Sequence, residues 1–219
     1  MNFLKTIAVV SAIAVSSFSV NAEQLSVAGI TWDSEYDLGF SPFNDFIANA
    51  SFVEARTATE ISGSGRVGVL NGTAPTTFCV VAGCALTYTF DGFNIDTAGN
   101  VTGGTLDFWV EHADPLAADT LWLSLTSIFA TQSSTATSSS FTSYFDVNEI
   151  AGTAWKNFDT NSQAHNADVS LISANNTFDI ALNEYHGGGQ FKSNSVPAPT
   201  TLAIFGLGLL GLAAARRKA

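Results

Sequence analysis

Hydrophobic and polar residues alternate with a period of two along several segments of the chain. Residues 106–111 place Leu, Phe and Val on one face and Asp, Trp and Glu on the other, and residues 121–126 place three Leu opposite Trp, Ser and Thr. This is the period of a β-strand with one buried face. Runs rich in β-branched and aromatic residues predict further strands at 24–32, 51–62, 66–70, 76–81, 85–90, 141–147, 168–173 and 177–182.

Turn-forming dipeptides separate these segments. They are Asn71-Gly72, Asp91-Gly92, Gly99-Asn100 and Gly103-Gly104. Many short strands divided by such turns predict an all-β fold, and we expect a single antiparallel domain of the β-sandwich or jelly-roll type. One short helix is expected after Ser41-Pro42, because apolar residues between Phe43 and Ala50 recur at helical spacing.

The N-terminal 22 residues have the pattern of a signal peptide. Lys5 supplies one positive charge, residues 6–15 are mostly apolar, and small residues stand at Val20 and Ala22. A basic start, a short apolar centre and small residues before the cleavage point define secretory signals. We therefore predict export, with cleavage between Ala22 and Glu23.

The C-terminus carries a second processing signature. Its short motif is Val196, Pro197, Ala198 and Pro199, and its terminal basic cluster is Arg216, Arg217 and Lys218. The uncharged run between them, residues 200–215, spans about 24 Å as a helix. Snorkelling basic side chains and local thinning fit that length to a hydrocarbon core of about 30 Å. We predict a transmembrane helix with its basic end in the cytoplasm; a buried core helix fits the length but explains neither the Pro pair nor the basic cluster.

This tail resembles the PEP-CTERM sorting signal of Gram-negative bacteria, which has a Pro-Glu-Pro motif, a Gly- and Leu-rich helix and a terminal Arg cluster. Ala198 stands where the family has Glu. The resemblance covers about the last 24 residues. It implies that a membrane-embedded exosortase removes the tail near the motif and passes the body to the cell surface. Some profiles of this tail are labelled ice-binding protein C-terminal domain, which implies no ice binding by the body.

The predicted organisation has four parts. They are a signal peptide at 1–22, a β-sandwich body at 23–186, a flexible tether at 187–196 that begins with three Gly, and a sorting signal with a transmembrane helix at 197–219. The whole chain has a formal charge of -11, and the predicted processing removes four bases and no acid, which leaves the body at -15. Such a surface repels nucleic acid, and the 46% hydrophobic content excludes a disordered chain.

Cys79 and Cys84 lie between two strand-like flanks, so a hairpin loop would bring the flanks together. In an oxidising periplasm the even count predicts a disulfide, and a zinc site would need further Cys or His ligands that the neighbouring sequence lacks. Residues 61–125, which include this pair, resemble a block in other exported PEP-CTERM proteins. That second resemblance implies no activity.

Acids at alternate positions, Asp33, Glu35 and Asp37, predict a weak calcium site of a loose sandwich-loop type, with a solvated strand edge as the alternative. The spacing does not fit an EF-hand, because Asn44 stands where that loop needs its final Glu. No other cofactor is expected.

Asp107 and Glu111 share a strand face with Trp109 between them, which makes Trp109 a candidate platform for a stacked sugar. The alternative is a Trp that packs under a second sheet or a covering loop. The two acids are about 13–14 Å apart along the strand, too far for the carboxylate pair of a glycosidase without a partner from another strand.

We expect a non-catalytic protein of the cell surface or extracellular matrix. Gly63-Ser64-Gly65 lacks the spacing of a nucleophile elbow, and no phosphate-binding loop is present in the sequence. The expected partners are an exosortase-like enzyme, the inner membrane in transit and exopolysaccharide. A carbohydrate- or calcium-binding module is the second interpretation, and an extracellular polysaccharide hydrolase is the third.

Overall fold

The computed structural model describes residues 24–36, 44–81, 83–114 and 116–196. The strands in these ranges are β1 Gln24–Val27, β2 Ile30–Asp33, β3 Phe46–Arg56, β4 Glu60–Leu70, β5 Ala85–Ile95, β6 Val101–Thr102, β7 Thr105–Glu111, β8 Thr120–Ser134, β9 Ser139–Gly152, β10 Val169–Asp179 and β11 Glu184–Ser193. Two helices of four residues are described, α1 Pro75–Phe78 and α2 Trp155–Phe158, with one 3₁₀ turn at Ala164–Asn166. The predicted signal peptide, its cleavage point at Ala22 and Glu23, and the tail from Pro197 to Ala219 lie outside the described residues. Among the residues that are described, no helix has the length and apolar character needed to span a bilayer.

Eight of the described strands form one closed antiparallel sheet. Taken in the order β3, β4, β5, β7, β8, β9, β10 and β11, each strand pairs with the next, and β11 pairs with β3 to close the ring. The short strand β6 bridges β5 and β8, and β1 with β2 forms a separate hairpin. The fold is therefore an up-and-down barrel, and the predicted β-sandwich is wrong. The two architectures share one pattern, because both give strands with one buried and one solvated face.

Aromatic side chains fill the interior of the barrel. Those with almost no exposed surface on the eight strands are Phe46, Phe52, Tyr88, Phe90, Phe93, Phe108, Trp122, Phe141, Phe145 and Phe191. Neighbouring strands make room for them: a Cβ added at Gly63 would lie 2.4 Å from the Phe90 ring and 2.1 Å from the Val53 carbonyl oxygen. The interior is thus a packed core rather than an open channel.

The two ends of the barrel differ. One end, named the tail end, carries the β1–β2 hairpin, α1, the loop at 112–119, α2 and the last described residue, Val196. The opposite end, named the distal end, carries the loops at 57–59, 96–100, 135–138 and 180–183. Both ends of the described chain therefore lie at the tail end.

The prediction of a flexible tether at residues 187–196 is corrected by the position of β11. Residues 187–193 belong to the strand that closes the barrel, and Phe191 on it is fully buried. The Gly run reflects close packing rather than flexibility, because a Cβ at Gly187 would lie 2.3 Å from the Ala174 carbonyl oxygen and one at Gly189 would lie 3.1 Å from the Phe52 ring.

Two local predictions are also wrong. The helical spacing between Phe43 and Ala50 does not give a helix over residues 46–50, because those residues form the start of β3. Phe46 and Ala50, two of the residues at helical spacing, point inward together with Ala48 at the period of a strand. The predicted strand at 76–81 is partly replaced by α1, whose first residue is Pro75.

Candidate functional site

The last two described residues, Ser195 and Val196, are held against the tail end of the barrel. The Ser195 backbone N–H donates to Asp45 Oδ1 at 2.6 Å, and its hydroxyl donates to Asp45 Oδ2 at 3.0 Å. Trp32 Nε1 donates to the same hydroxyl oxygen at 3.1 Å. Ser195 is only 9% exposed. Its hydroxyl therefore both donates and accepts inside the protein, which fixes the side chain in one orientation.

Val196 is held by the residue Asn157 of α2. The Val196 N–H donates to the Asn157 carbonyl oxygen at 2.7 Å, and Asn157 Nδ2 donates to the Val196 carbonyl oxygen at 3.2 Å. We name the contacts among Trp32, Asp45, Asn157, Ser195 and Val196 the C-terminal clasp. The chain leaves the barrel from a fixed point at Val196.

A cluster of four aromatic rings supports the clasp from inside. Phe158 of α2 lies 4.9 Å from Phe46, 5.4 Å from Trp122 and 5.5 Å from Trp32, measured between ring centroids. All four side chains are buried. The cluster plugs the tail end and anchors both α2 and the hairpin, because aromatic contacts at this distance add to the burial of apolar area.

Asn71 positions Asp45. Its Nδ2 donates to the carbonyl oxygens of Asp45 at 2.6 Å and Asp33 at 3.2 Å, and its Oδ1 accepts from the Ile47 N–H at 2.8 Å. Asn71 has φ +48°, in the left-handed region that Asn tolerates better than most residues. The Asn71-Gly72 turn predicted from the sequence therefore also holds Asp45 in position for the clasp.

Burial raises the pKa of Asp45 from 3.8 to about 6. The hydrogen bonds from Ser195 act in the opposite direction, since they favour the charged form, while the nearby Asp33 adds to the rise. The removal of water from the carboxylate has the larger effect, so the pKa of Asp45 is raised overall. Asp45 is therefore charged at neutral pH and takes up a proton in mildly acidic solution.

Cys79 and Cys84 form the predicted disulfide, with their Cα atoms 5.7 Å apart. The loop that it closes lies at the tail end, where the Val80 N–H donates to the Gly29 carbonyl oxygen of the hairpin at 2.9 Å. A Cβ at Gly83 would lie 2.7 Å from the Ala113 side chain, so the disulfide loop also lies beside the loop at 112–119.

Asp107, Trp109 and Glu111 lie together on the outer face of β7, half-buried, as the alternation predicts. The Asp107 Oδ1 atom is buried and has no hydrogen-bond partner among the described residues. Their role in ligand binding stays a prediction.

Of the three predicted calcium ligands, Asp33 ends β2 and its Oδ1 accepts from the Glu35 N–H at 2.9 Å, whereas Asp37 lies outside the described residues. Within the described ranges no group of three or more His, Cys, Asp or Glu side chains has the geometry for a metal ion. The calcium site stays a prediction.

A buried polar cluster at the distal end has no counterpart in the sequence predictions. Glu54 Oε2 accepts from Ser139 Oγ and from Asn175 Nδ2, both at 3.1 Å, and Arg56 Nη1 lies 4.0 Å from Glu54 Oε1. Burial raises the pKa of Glu54. The signal was present in the sequence, because Glu54 continues the inward row of β3 that includes Phe52.

A shallow cleft of about 540 Å³ lies on the outer surface, between residues 99–103 and residues 127–132 of β8. Phe129 lines it and stacks on His165 with ring centroids 4.2 Å apart. The other two histidines pair locally, His112 with Thr120 and His186 with Glu184.

Residues 195–218 match the PEP-CTERM protein-sorting motif. The match confirms the resemblance of the tail, and it begins at Ser195, the residue that the clasp holds. A motif of this kind marks an exported protein that an exosortase-like enzyme sorts to the cell surface. No curated protein and no solved structure matches the chain.

Proposed function

We propose that this chain is an exported, non-catalytic barrel protein of the cell surface or extracellular matrix. In this proposal the segment 1–22 directs export, and the apolar run within 197–219 anchors the precursor in the inner membrane. An exosortase-like enzyme then removes the tail near Pro197 to Pro199. The observation that carries the proposal is the sorting motif at 195–218, which begins where the folded barrel ends.

The completeness of the barrel supports a removable tail. All eight strands of the ring pair within residues 46–193, and the clasp ends at Val196. The closed sheet is therefore complete within the described residues, so loss of the tail after sorting leaves the sheet intact.

The distribution of polar groups supports a physical rather than a catalytic role. Aromatic rings fill the barrel, and its buried acid Glu54 is hydrogen-bonded to Ser139 and Asn175. The processed body has a formal charge of -15, and among the described residues only two acids, Glu54 and Asp168, are buried. Such a surface keeps the protein soluble and concentrates divalent cations near it.

Cell fractionation tests the proposal with three chains. The natural chain is compared with one that ends at Val196, which keeps the clasp, and with a Pro197→Ala/Pro199→Ala variant that keeps the apolar run. We expect the natural chain at the surface without its tail, the shortened chain free in the periplasm or medium, and the Pro variant as an uncleaved inner-membrane precursor. Recovery of the natural chain in the cytosol at full length would contradict the proposal.

A second candidate function is binding of carbohydrate, and the outer face of β7 favours it. Trp109 lies between Asp107 and Glu111 there, and the buried Asp107 Oδ1 lacks a partner among the described residues. A glycan array run with and without calcium tests it, with Trp109→Ala as the variant and Trp155→Ala as the matched control. This function predicts that the Trp109→Ala variant no longer binds the glycan, whereas the Trp155→Ala variant still binds it.

A further inference from the structure

We infer that the tail end of the barrel is the face that lies against the membrane surface while the precursor is anchored. The inference rests on the proposed transmembrane tail. It adds an orientation for the folded body and identifies the partner of this face as a lipid surface.

The length of chain between the barrel and the apolar run limits how far the barrel can lie from the bilayer. Val196 is fixed by two hydrogen bonds to Asn157, and the uncharged run begins at Thr200. The step from Val196 to Thr200 spans at most about 14 Å when fully extended. The exit point of the barrel is thus held close to the lipid headgroups.

The barrel is taller than this spacer is long. A strand of eleven residues such as β10 is about 36 Å long, and the usual tilt of barrel strands reduces its height to about 28 Å. A spacer of at most about 14 Å cannot bring the distal end to the bilayer, because the spacer is shorter than the barrel is tall. The tail end is the part that reaches the headgroups.

The exposed side chains of the tail end are compatible with contact with lipid headgroups. The loops of this end carry exposed aliphatic side chains: Val80 and Val81 in the disulfide loop, Leu116 in the loop at 112–119 and Ile150 in the bulged part of β9. Leu116 is 93% exposed and Ile150 is 95% exposed. The distal end also carries exposed aliphatic side chains, at Ile180 and Leu182, so this feature is compatible with contact at the tail end, and the length of the spacer decides the orientation.

The negative charge of the barrel opposes contact between the tail end and an anionic membrane. The acids Asp114, Asp119 and Glu149 lie on the same loops, and the body as a whole is strongly acidic. An anionic leaflet repels such a surface over about a Debye length. The contact is therefore maintained by the tether, which keeps the local concentration of lipid high, and a chain that ends at Val196 has no affinity of its own for the vesicles.

Quenching of a fluorophore by labelled lipids tests the orientation. The full chain is inserted into phosphatidylcholine vesicles that contain a minority of phosphatidylglycerol and a nitroxide on the lipid headgroup. A fluorophore is attached at Leu116→Cys or, as the matched control, at Ile180→Cys, with the native disulfide kept oxidised. Ile180 is 87% exposed on the distal end, so the two sites differ in position and hardly in exposure.

We expect quenching at position 116 to exceed quenching at position 180 several-fold. Insertion of a long Gly/Ser spacer between Val196 and Pro197 should bring the two values together. Equal quenching at positions 116 and 180, in chains that float with the vesicles, would overturn the orientation but leave the proposed transmembrane tail standing. Chains that fail to float would overturn the proposed transmembrane tail and, with it, this orientation.

Discussion

Asp45→Asn tests the energetics of the C-terminal clasp. The amide oxygen of Asn still accepts the Ser195 N–H, whose nitrogen lies 2.6 Å from Asp45 Oδ1 in the natural protein. Its Nδ2 group replaces Oδ2, which accepts the Ser195 hydroxyl, so that hydrogen bond is lost at every pH. The substitution keeps the size of the side chain, removes the buried negative charge and abolishes the titration. Any change in pH dependence then reports on this one carboxylate.

The sign of the effect follows from the pKa of Asp45, which burial raises from 3.8 to about 6. A carboxyl group with a higher pKa in the folded state binds protons more readily when folded, so the contribution of Asp45 to the free energy of unfolding rises as the pH falls from about 7 to about 4. A difference in pKa of this size corresponds to at most about 3 kcal/mol in the free energy of unfolding. Asp45 keeps contact with solvent, and screening reduces the expected gain to about 1–2 kcal/mol.

Urea unfolding followed by Trp fluorescence measures this gain at about pH 7 and about pH 4.5. A chain that ends at Val196 is suitable, because every residue of the clasp is retained. Asp45→Asn should lose about 1–2 kcal/mol of the acid-side gain. Some pH dependence should remain, since burial also raises the pKa of Glu54 and Asp146. Exposed Glu149→Gln is the matched control, and an Asp45→Asn protein that keeps the whole gain would refute the reasoning.

Three further substitutions or treatments test the packing. Phe158→Ala should lower the free energy of unfolding by about 3–5 kcal/mol, because it empties the centre of the aromatic plug; a calorimetric loss below 1 kcal/mol would contradict this. Reduction of the Cys79–Cys84 disulfide should cost about 2 kcal/mol, since the closed loop is short; an unchanged melting temperature would argue against it. Glu54→Gln should retain stability in urea titrations, whereas Glu54→Ala should lose about 1–3 kcal/mol, because the Ser139 hydroxyl and one N–H of Asn175 lose their buried acceptor. Equal losses in both Glu54 variants would show that its hydrogen bonds contribute nothing.

The local structure was largely predictable from the sequence. The alternation in residues 106–111 placed Asp107, Trp109 and Glu111 on one outward face, and the even cysteine count gave the disulfide. These features depend on neighbours in the chain, which a period of two or a short hairpin loop determines directly. The sorting tail was also predictable, because its Pro-containing motif, its apolar run and its basic cluster are contiguous in the sequence. The match to the sorting motif over residues 195–218 confirms this prediction.

Closure of the barrel was not predictable in the same way. It depends on the pairing of β11 with β3, which joins Lys192 to Ile47 across most of the chain. The Gly run at 187–189 concealed that strand, because a composition typical of linkers here serves the close approach of β10 and β3. Without its closing strand, the remaining set of antiparallel strands is as compatible with a sandwich as with a ring.

The clasp escaped prediction because its partners are distant in sequence. Asp45 and Ser195 are 150 residues apart, and a lone acid in a segment predicted to be helical carries no signal of a long-range hydrogen bond. Glu54 is a different case: the inward row of β3 would have placed it in the interior had that strand been recognised from Phe46 onward.

The intact mass of the protein recovered from the cell surface tests the central claim most directly. The account predicts a polypeptide that begins at Glu23 and ends within the short Pro motif after Val196. A surface protein that retains Ala219, or a cytosolic one that retains both Met1 and Ala219, would contradict it.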